Sequence, residues 1–536
     1  MSEQIGLYTL ENHKPINGFP ELRWAGKRPY RSTQYFQAQP RERYGPGHKG
    51  GKHSGWFNKI FWGDNLQVIS QLLKDFSGKV DLIYIDPPFD SNVEYKKKIT
   101  LRGQTATDGS NVFEEKQYGD IWTNDEYLQF MYERLILMRE LLAETGTIYI
   151  HCDWHRSHNL RCILDELYGY HNCHNVITWK RSHAQGNAGQ GAKHFGRISD
   201  TIFVYSKTGN PIWNQQYHEY TDDALQRDYK YIDKETGERY RLAPVDGPGG
   251  ESKGNPYYEF LGVTGYWRYS KETMTALFEK GEIVLSSTGK SLSRKRFLKD
   301  AKGTPVTDFW DDLNRVSPTS GERLNYPTQK PEALLKRIIK TSSNPGSIVF
   351  DCFMGSGTTQ SVAMKLGRRF IGADINLGAI QTTTKRLISV AAGLKSGTMP
   401  LNADDEVKYI GFEVHNVINI ETMDIMCDKS GLQLKRSAET DITIEDRKLV
   451  IHTFYPLNLM QKLSLKKELV EDWRQLTDSV MIDWNFNGAV MQPAIIDIPG
   501  KNEMVKGVYD IPHNSGIIKV KITDLLSESL EAEVRR

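Results

Sequence analysis

The tetrapeptide Asp86-Pro87-Pro88-Phe89 directly follows the apolar run VDLIYI (80–85). Its residue types suit one demanding reaction, attack by an exocyclic amino group of a nucleobase. The lone pair of that nitrogen is delocalised into the ring, which makes it a poor nucleophile. A carboxylate and a backbone carbonyl that accept its two hydrogens localise the pair on nitrogen. Asp86 supplies the carboxylate, and two prolines fix the backbone so that the Pro87 carbonyl keeps a set direction. Phe89 offers a flat face on which a base turned out of a helix can stack. Attack on a methyl sulfonium then needs no covalent enzyme intermediate and no metal. Taken alone, the same four residues also suit a tight turn closing a strand.

A second stretch, Asp351-Cys352-Phe353-Met354-Gly355-Ser356-Gly357-Thr358-Thr359, follows SIVF and opens a helical pattern. Its glycines let backbone approach a ligand closely. Gln360 stands where the dinucleotide fingerprint has its third glycine, so the better match is the FxGxG loop that holds S-adenosylmethionine. Such a loop is followed by an acid, at the end of the next strand, that binds ribose hydroxyls. Asp374 occupies that place.

With both stretches in this order, the chain resembles the beta group of DNA amino-methyltransferases, adenine-N6 specific, and especially the modification subunits of type III restriction-modification systems. Further matches are GDN at 63–65, RLILMRELLAETGTIYIHCD at 134–153, DTIFVYSK at 200–207 and YPTQKPEALL at 326–335, so the resemblance covers roughly residues 56–390. It implies catalytic roles for Asp86, Pro87, Pro88 and Phe89. It implies contacts to S-adenosylmethionine from Asp64, Asn65, Thr328, Lys330, Pro331, Asp351, Phe353, Gly355, Gly357, Thr358 and Asp374. Cys352 and Met354 depart from the family pattern, and altered packing rather than lost binding is expected there.

The elements that must position these residues alternate between strand and helix. VDLIYI, TIYI (147–150), TIFVY (201–205), SIVF (347–350) and RFIGAD (369–374) read as buried strands. Asn124 can cap a helix starting at Asp125, whose apolar stripe is Leu128, Met131, Leu135, Met138 and Leu142, with Gly146 just past its end. Pro331 opens the helix EALLKRIIK, and Gly367 closes the helix GTTQSVAMKL. This alternation predicts an α/β fold, a Rossmann-like methyltransferase sheet, parallel, with helices on both faces and ligands at the carboxyl ends of its strands.

Five segments are expected: a basic N-terminal arm (1–55), a catalytic half (56–205), a loop-rich target-recognition insert (206–320), a cofactor-binding half (321–395) and a C-terminal accessory domain (396–536). Residues 22–60 hold nine Lys or Arg and one acid, Glu42, interleaved with aromatics. They read as a mobile arm along DNA or as an arm wrapping its own domain. Residues 180–197 hold four glycines, four Lys or Arg and no acid, a flexible positive loop. The net charge of +2 divides into +9 over the first 403 residues and −7 from Asp404 onward. The basic part predicts a polyanionic partner, duplex DNA, and the acidic end a separate domain for homodimerisation or for a restriction or other defence-system subunit.

Several other functions are not expected. No run of 18 apolar residues exists for a membrane span, and MSEQIGLYTLENHK has no apolar signal region. Five cysteines without a CxxC pair predict a reducing, cytoplasmic setting. His151, Cys152, His155, His158, Cys162, His171, Cys173 and His174 are dense but lack matching metal-ligand pairs, so no metal is expected. No Pro-Cys occurs, which argues against cytosine C5 chemistry. GKS (289–291) lacks the glycine a phosphate loop requires, since Val284 stands there. RKR (294–296) reads as a solvated loop or a phosphate contact. The expectation is therefore site-specific methyl transfer from S-adenosylmethionine to adenine N6. Cytosine N4, an RNA or protein acceptor, and a non-catalytic DNA-binding subunit are the alternatives.

Overall fold

Ten strands of the chain join into one mixed sheet in the computed structural model. The model describes residues 7–9, 21–89, 94–101, 112–119, 124–182, 193–324, 326–398, 409–417, 438–463, 470–500 and 503–535. In chain order the strands are β1 (Gln39–Tyr44), β2 (Asn58–Trp62), β3 (Val80–Ile85), β4 (Leu142–Cys152), β5 (Cys173–Lys180), β6 (Ser199–Ser206), β7 (Phe309–Trp310), β8 (Ile348–Asp351), β9 (Arg369–Asp374) and β10 (Phe412–Asn416). In space they lie in the order β7-β5-β6-β4-β3-β8-β9-β2-β10-β1. The six from β4 to β10 in that order run parallel to one another.

The sheet is not parallel throughout, as expected from the alternation. β6 runs antiparallel to both β4 and β5, and β1 antiparallel to β10. β5 and β6 pair directly and lie close in sequence, which suits antiparallel neighbours. The stripe ending at Leu142 also divides differently. Helix α2 spans Asn124–Leu141, and Leu142 with Gly146 belongs to β4, where Leu142 pairs with Val80. A leucine needed in the core satisfies either element, which is why periodicity alone misplaces the boundary.

Helices α1 (Asn65–Phe76), α3 (Ser157–Leu164), α4 (Glu332–Ser342), α5 (Thr358–Lys365) and α6 (Leu377–Ser396) cover the sheet together with α2. Alternate strand residues point to opposite faces. Ile83, Ile85, Ile148, Ile150 and Phe350 share a core with Val68, Ile69, Leu72, Met131, Leu135 and Ile163 of α1, α2 and α3. On the other face Tyr149 Oη lies 2.8 Å from Ser342 Oγ of α4. Asp64 caps α1 by accepting from the Leu66 and Gln67 N–H groups.

The described part of the basic N-terminal segment wraps its own domain. Trp24, Tyr30, Phe36 and Trp56 pack on the main core, and Lys27 Nζ donates to both Glu166 oxygens at 2.9 Å. The interleaved aromatics bury their faces while most cations remain at the rim. The segment also contributes β1. The C-terminal residues are likewise tied to this sheet: β10 is one of its strands, and buried Glu42 of β1 pairs with buried Lys521. Met491 exchanges backbone hydrogen bonds of 2.9 Å with Arg41 and Arg43.

Residues Gln215–Thr307 form a compact unit of their own, narrower than the expected 206–320 because Asn214 and the Phe309–Trp310 strand belong with the sheet. Its core is Val245, Phe260, Trp267, Met274, Leu277, Ile283 and Leu292. A four-stranded sheet includes Leu292–Phe297, and a helix, Lys271–Glu279, starts at the Ser270 cap. RKR lies on that strand with all three charges engaged inside the unit. Arg294 pairs with Glu282 at 2.8 Å, Lys295 with Asp233 at 2.7 Å, and Arg296 donates to Tyr269 Oη at 2.9 Å.

Candidate active site

β3 and β8 are neighbours in the sheet, with Leu82 opposite Val349 and Ile83 opposite Phe350. Their carboxyl ends deliver Asp86 and Asp351 to one edge. β9, beside β8, delivers Asp374 to the same edge. One cavity of about 310 Å³ opens there. Asp64, Asn65, Asp86, Pro88, Thr328, Lys330, Asp351, Phe353, Gly355, Thr358 and Asp374 all line it.

The glycine loop is shaped by its conformation. Gly357, at φ +70°, is the residue before α5, and a Cβ there would stand 2.5 Å from Thr383 of α6. Only glycine combines that left-handed backbone with that approach. The Gly355 N–H donates to Asp374 Oδ2 at 2.9 Å, which ties the loop to β9. The other Asp374 oxygen accepts from the Asn376 N–H at 2.8 Å. Burial nonetheless pushes the Asp374 carboxyl up to about 6. Burial likewise pushes Asp351 up to about 7, against the Thr359 hydroxyl at 2.6 Å and the Phe353 N–H at 3.0 Å. At the far wall, Arg134 lies 3.5 Å over the Phe130 ring and donates to Asp64 at 3.0 Å and to Asn65. Phe353 packs 6.2 Å from Phe130.

Asp86 faces two kinds of neighbour. Its Oδ2 pairs with the Lys330 ammonium, which also stands 5.7 Å over the Phe89 ring. Its Oδ1 is buried and has no hydrogen-bond partner among the described residues. That oxygen lies 4.0 Å from His151 Nδ1. His151 is fully buried, with Tyr84 Oη 3.0 Å from Nδ1 and Asp200 Oδ2 3.2 Å from Nε2. Burial would raise the Asp200 carboxyl, but the His151 hydrogen bond and the Arg181 and Lys330 charges outweigh it and hold it low. Burial and the Asp86 charge push the Tyr84 phenol well up. Asp200 and Tyr84 thus hold the His151 ring from its two nitrogens.

A family model described as DNA methylase, for N6 and N4 enzymes, matches residues 80–385, from the start of β3 into α6. The chain belongs to this family. It is 33% identical over 332 residues to the type II methyltransferase M.EcaI of Enterobacter cloacae, covering 61% of this chain and 69% of that one. It is 26% identical over 409 residues to the StyLTI Mod subunit of a type III restriction-modification enzyme in Salmonella typhimurium, covering 68% of this chain and 62% of the subunit. It is 25% identical over 320 residues to the DNA adenine methyltransferase YhdJ of Escherichia coli, covering 60% and 80%.

DNA methylases of this family draw on S-adenosylmethionine, and the cavity has the features such a molecule needs. Gly355 leaves room on the wall where a Cβ would stand 3.2 Å from Tyr326, Asp374 lines the same cavity, and Phe353 with Phe130 supplies apolar surface. Among the residues singled out in the sequence, Pro87, Phe89, Pro331 and Gly357 do not line the cavity. Gly357 and Pro331 shape its walls from behind, at the starts of α5 and α4. Sequence reasoning missed Tyr84, Phe130, Tyr326, Ile375 and Asn376 on its wall; it placed His151, at the end of β4, on the active-site edge but missed its pairing with Asp200 behind Asp86. Ile375 and Asn376 adjoin Asp374 and Tyr326 precedes the TQKP run, so proximity was a usable signal. His151 and Asp200 lay in matched segments, but only the β4–β6 pairing brings them together.

Cys352 and Cys152 are buried, and burial pushes both thiols well up, which leaves them poor nucleophiles. Among the described residues, no three His, Cys, Asp or Glu side chains gather as a metal-holding group. His155 instead pairs with Asp153 at 2.6 Å, and His174 with Ser206 at 2.7 Å. No described helix is long and apolar enough to cross a membrane.

Proposed function

We propose that the chain transfers a methyl group from S-adenosylmethionine to the N6 amino group of adenine in duplex DNA, with the target base turned out into the cavity edge. The observation that carries this reading is the buried, unpartnered Asp86 Oδ1 in the same cavity as the glycine loop. A buried carboxylate oxygen without a donor is costly and favours a ligand that brings one. The amino hydrogen of a flipped adenine is such a donor.

When bound, S-adenosylmethionine supplies an electrophilic methyl group on a sulfonium. Asp374 would take the ribose hydroxyls, and Asp64 and Phe353 would flank the adenine. Asp86 Oδ1 accepts one amino hydrogen of the target base, the Pro87 carbonyl accepts the other, and the lone pair is directed at the methyl carbon. The nitrogen–carbon bond would form as the methyl carbon–sulfur bond breaks, S-adenosylhomocysteine would leave as a neutral thioether, and the surplus amino proton would pass to Asp86. The Lys330 ammonium, with Asp86 Oδ2, holds the carboxylate in place. His151, locked between Tyr84 and Asp200, keeps the wall behind Oδ1 rigid. Phe89 stacks on the base.

Adenine is favoured by the DPPF form of the tetrapeptide and by the YhdJ relative, and a restriction-modification setting by the M.EcaI and StyLTI relatives. Incubating the chain with unmodified plasmid DNA and S-adenosylmethionine, then weighing the released nucleosides, is expected to show N6-methyladenine. Asp86→Ala is expected to abolish transfer while S-adenosylmethionine still binds. N4-methylcytosine would overturn the choice of base, and a fully active Asp86→Ala would overturn the mechanism.

A further inference from the structure

The loop between β5 and β6 leaves the sheet at the catalytic edge. Lys180 pairs with Ser199 at its base, and Cys152, the last residue of β4, pairs with Thr201. Because β4 runs parallel to β3, this base and the residues after Cys152 stand on the edge that carries Asp86. The base is also tied to the site through side chains. Arg181 Nε donates to Asp200 at 2.8 Å, and Asp200 holds His151.

What this edge presents to solvent is unusual. Phe195 is 96% exposed and Trp154, two residues past β4, is 47% exposed. The Arg197 guanidinium lies 3.6 Å over the Trp154 ring, and His155 stacks on the same ring at 3.9 Å. Residues 193–198 carry Lys193 and Arg197 and no acid. A phenylalanine wholly in water gains nothing from folding, so its place at the rim of a site points to a ligand. The neighbouring cations point to a polyanion. Turning a base out of a duplex leaves a gap in the stack, and apolar side chains fill such gaps in proteins that distort DNA.

We infer that Phe195 is a wedge that enters the duplex at the vacated position of the target base, with Lys193 and the Trp154–Arg197 stack bracing the flanking backbone. The inference rests on the reading of the chain as a methyltransferase for duplex DNA. Phe195 makes the extruded base slower to return, and so acts on extrusion rather than on the chemical step.

Two duplexes test this, both carrying the sequence in which the wild-type chain is found to place methyl groups. One is fully paired, and in the other the target base faces an abasic position. Phe195→Ala should methylate the paired duplex about tenfold more slowly in a single turnover, yet stay within about twofold of wild type on the abasic duplex, where extrusion is already eased. Phe195→Trp should keep the wild-type rate on both. Because Phe195 is 96% exposed, its replacement should leave the fold intact. Equal slowing on both duplexes, or slowing on neither, overturns the wedge. Absence of any methylation by the wild-type chain overturns the reading beneath it, and the wedge with it.

Discussion

Asp374 is the acid whose charge should be felt most directly in cofactor binding. Burial holds its carboxyl up to about 6, so below that pH it is largely protonated. Ribose hydroxyls donate better to a carboxylate than to an acid, so binding favours the ionised form. Affinity for S-adenosylmethionine should therefore tighten as pH rises through about 6 and level off above 7. Asp374→Asn should bind more weakly and lose that slope, as calorimetry between pH 5 and 8 would show. A slope that persists in Asp374→Asn would assign it instead to Asp351, whose carboxyl burial pushes up to about 7. Asp86, Asp351 and Asp374 were all legible as residues, because each closes a short apolar run and a strand end is where an α/β sheet holds ligands. His151 was legible as the end of a strand on the active-site edge, but not with its partner. Its meaning comes from Asp200, 49 positions away, and no local pattern links the two.

At the scale of elements, α5 and α6 meet around one glycine. Gly357→Ala would force a left-handed backbone on alanine, at a cost of roughly 1–2 kcal/mol. Its Cβ would also stand 2.5 Å from the Thr383 Oγ1 and Cγ2 atoms. Overpacking of that kind adds roughly 1–3 kcal/mol. Gly357→Ala should lower the urea midpoint, and Thr383→Ala in the same chain should restore part of the loss, namely the steric part. A double variant no better than the single would mean that backbone strain alone decides. The central strands were legible because a strand buried on both faces reads as an unbroken apolar run, as VDLIYI and RFIGAD do. β1 was not. Its sequence QPRERY is polar and contains proline, which suits an edge strand and resembles a loop. The N-terminal segment therefore read equally as a free arm and as one wrapping its own domain, and its anchored aromatics decide for the second.

At the scale of the molecule, the two ends of the chain hold each other at that edge. Glu42 and Lys521 are 7% and 4% exposed, 479 positions apart, and Tyr44 Oη also donates to Glu42 at 2.5 Å. Burial would raise the Glu42 carboxyl, but Lys521 and Tyr44 hold it down. Lys521→Met would leave that charge buried without its counter-ion, at a cost of about 3–5 kcal/mol. The loss should be full at neutral pH and shrink as acid protonates Glu42, and Glu42→Leu in the same chain should recover much of it. Chemical denaturation at pH 4 and pH 8 checks both. The long-range pairing has a further consequence for synthesis. β3 finds β4 soon after it leaves the ribosome, but its other side waits for β8, and the Asp81–Ile348 bond across that seam spans 267 positions. A nascent chain thus carries the Asp86 motif long before it carries the glycine loop. On the proposed reading, truncated products would not methylate DNA, while the open flank of β3 would expose them to chaperones and proteases.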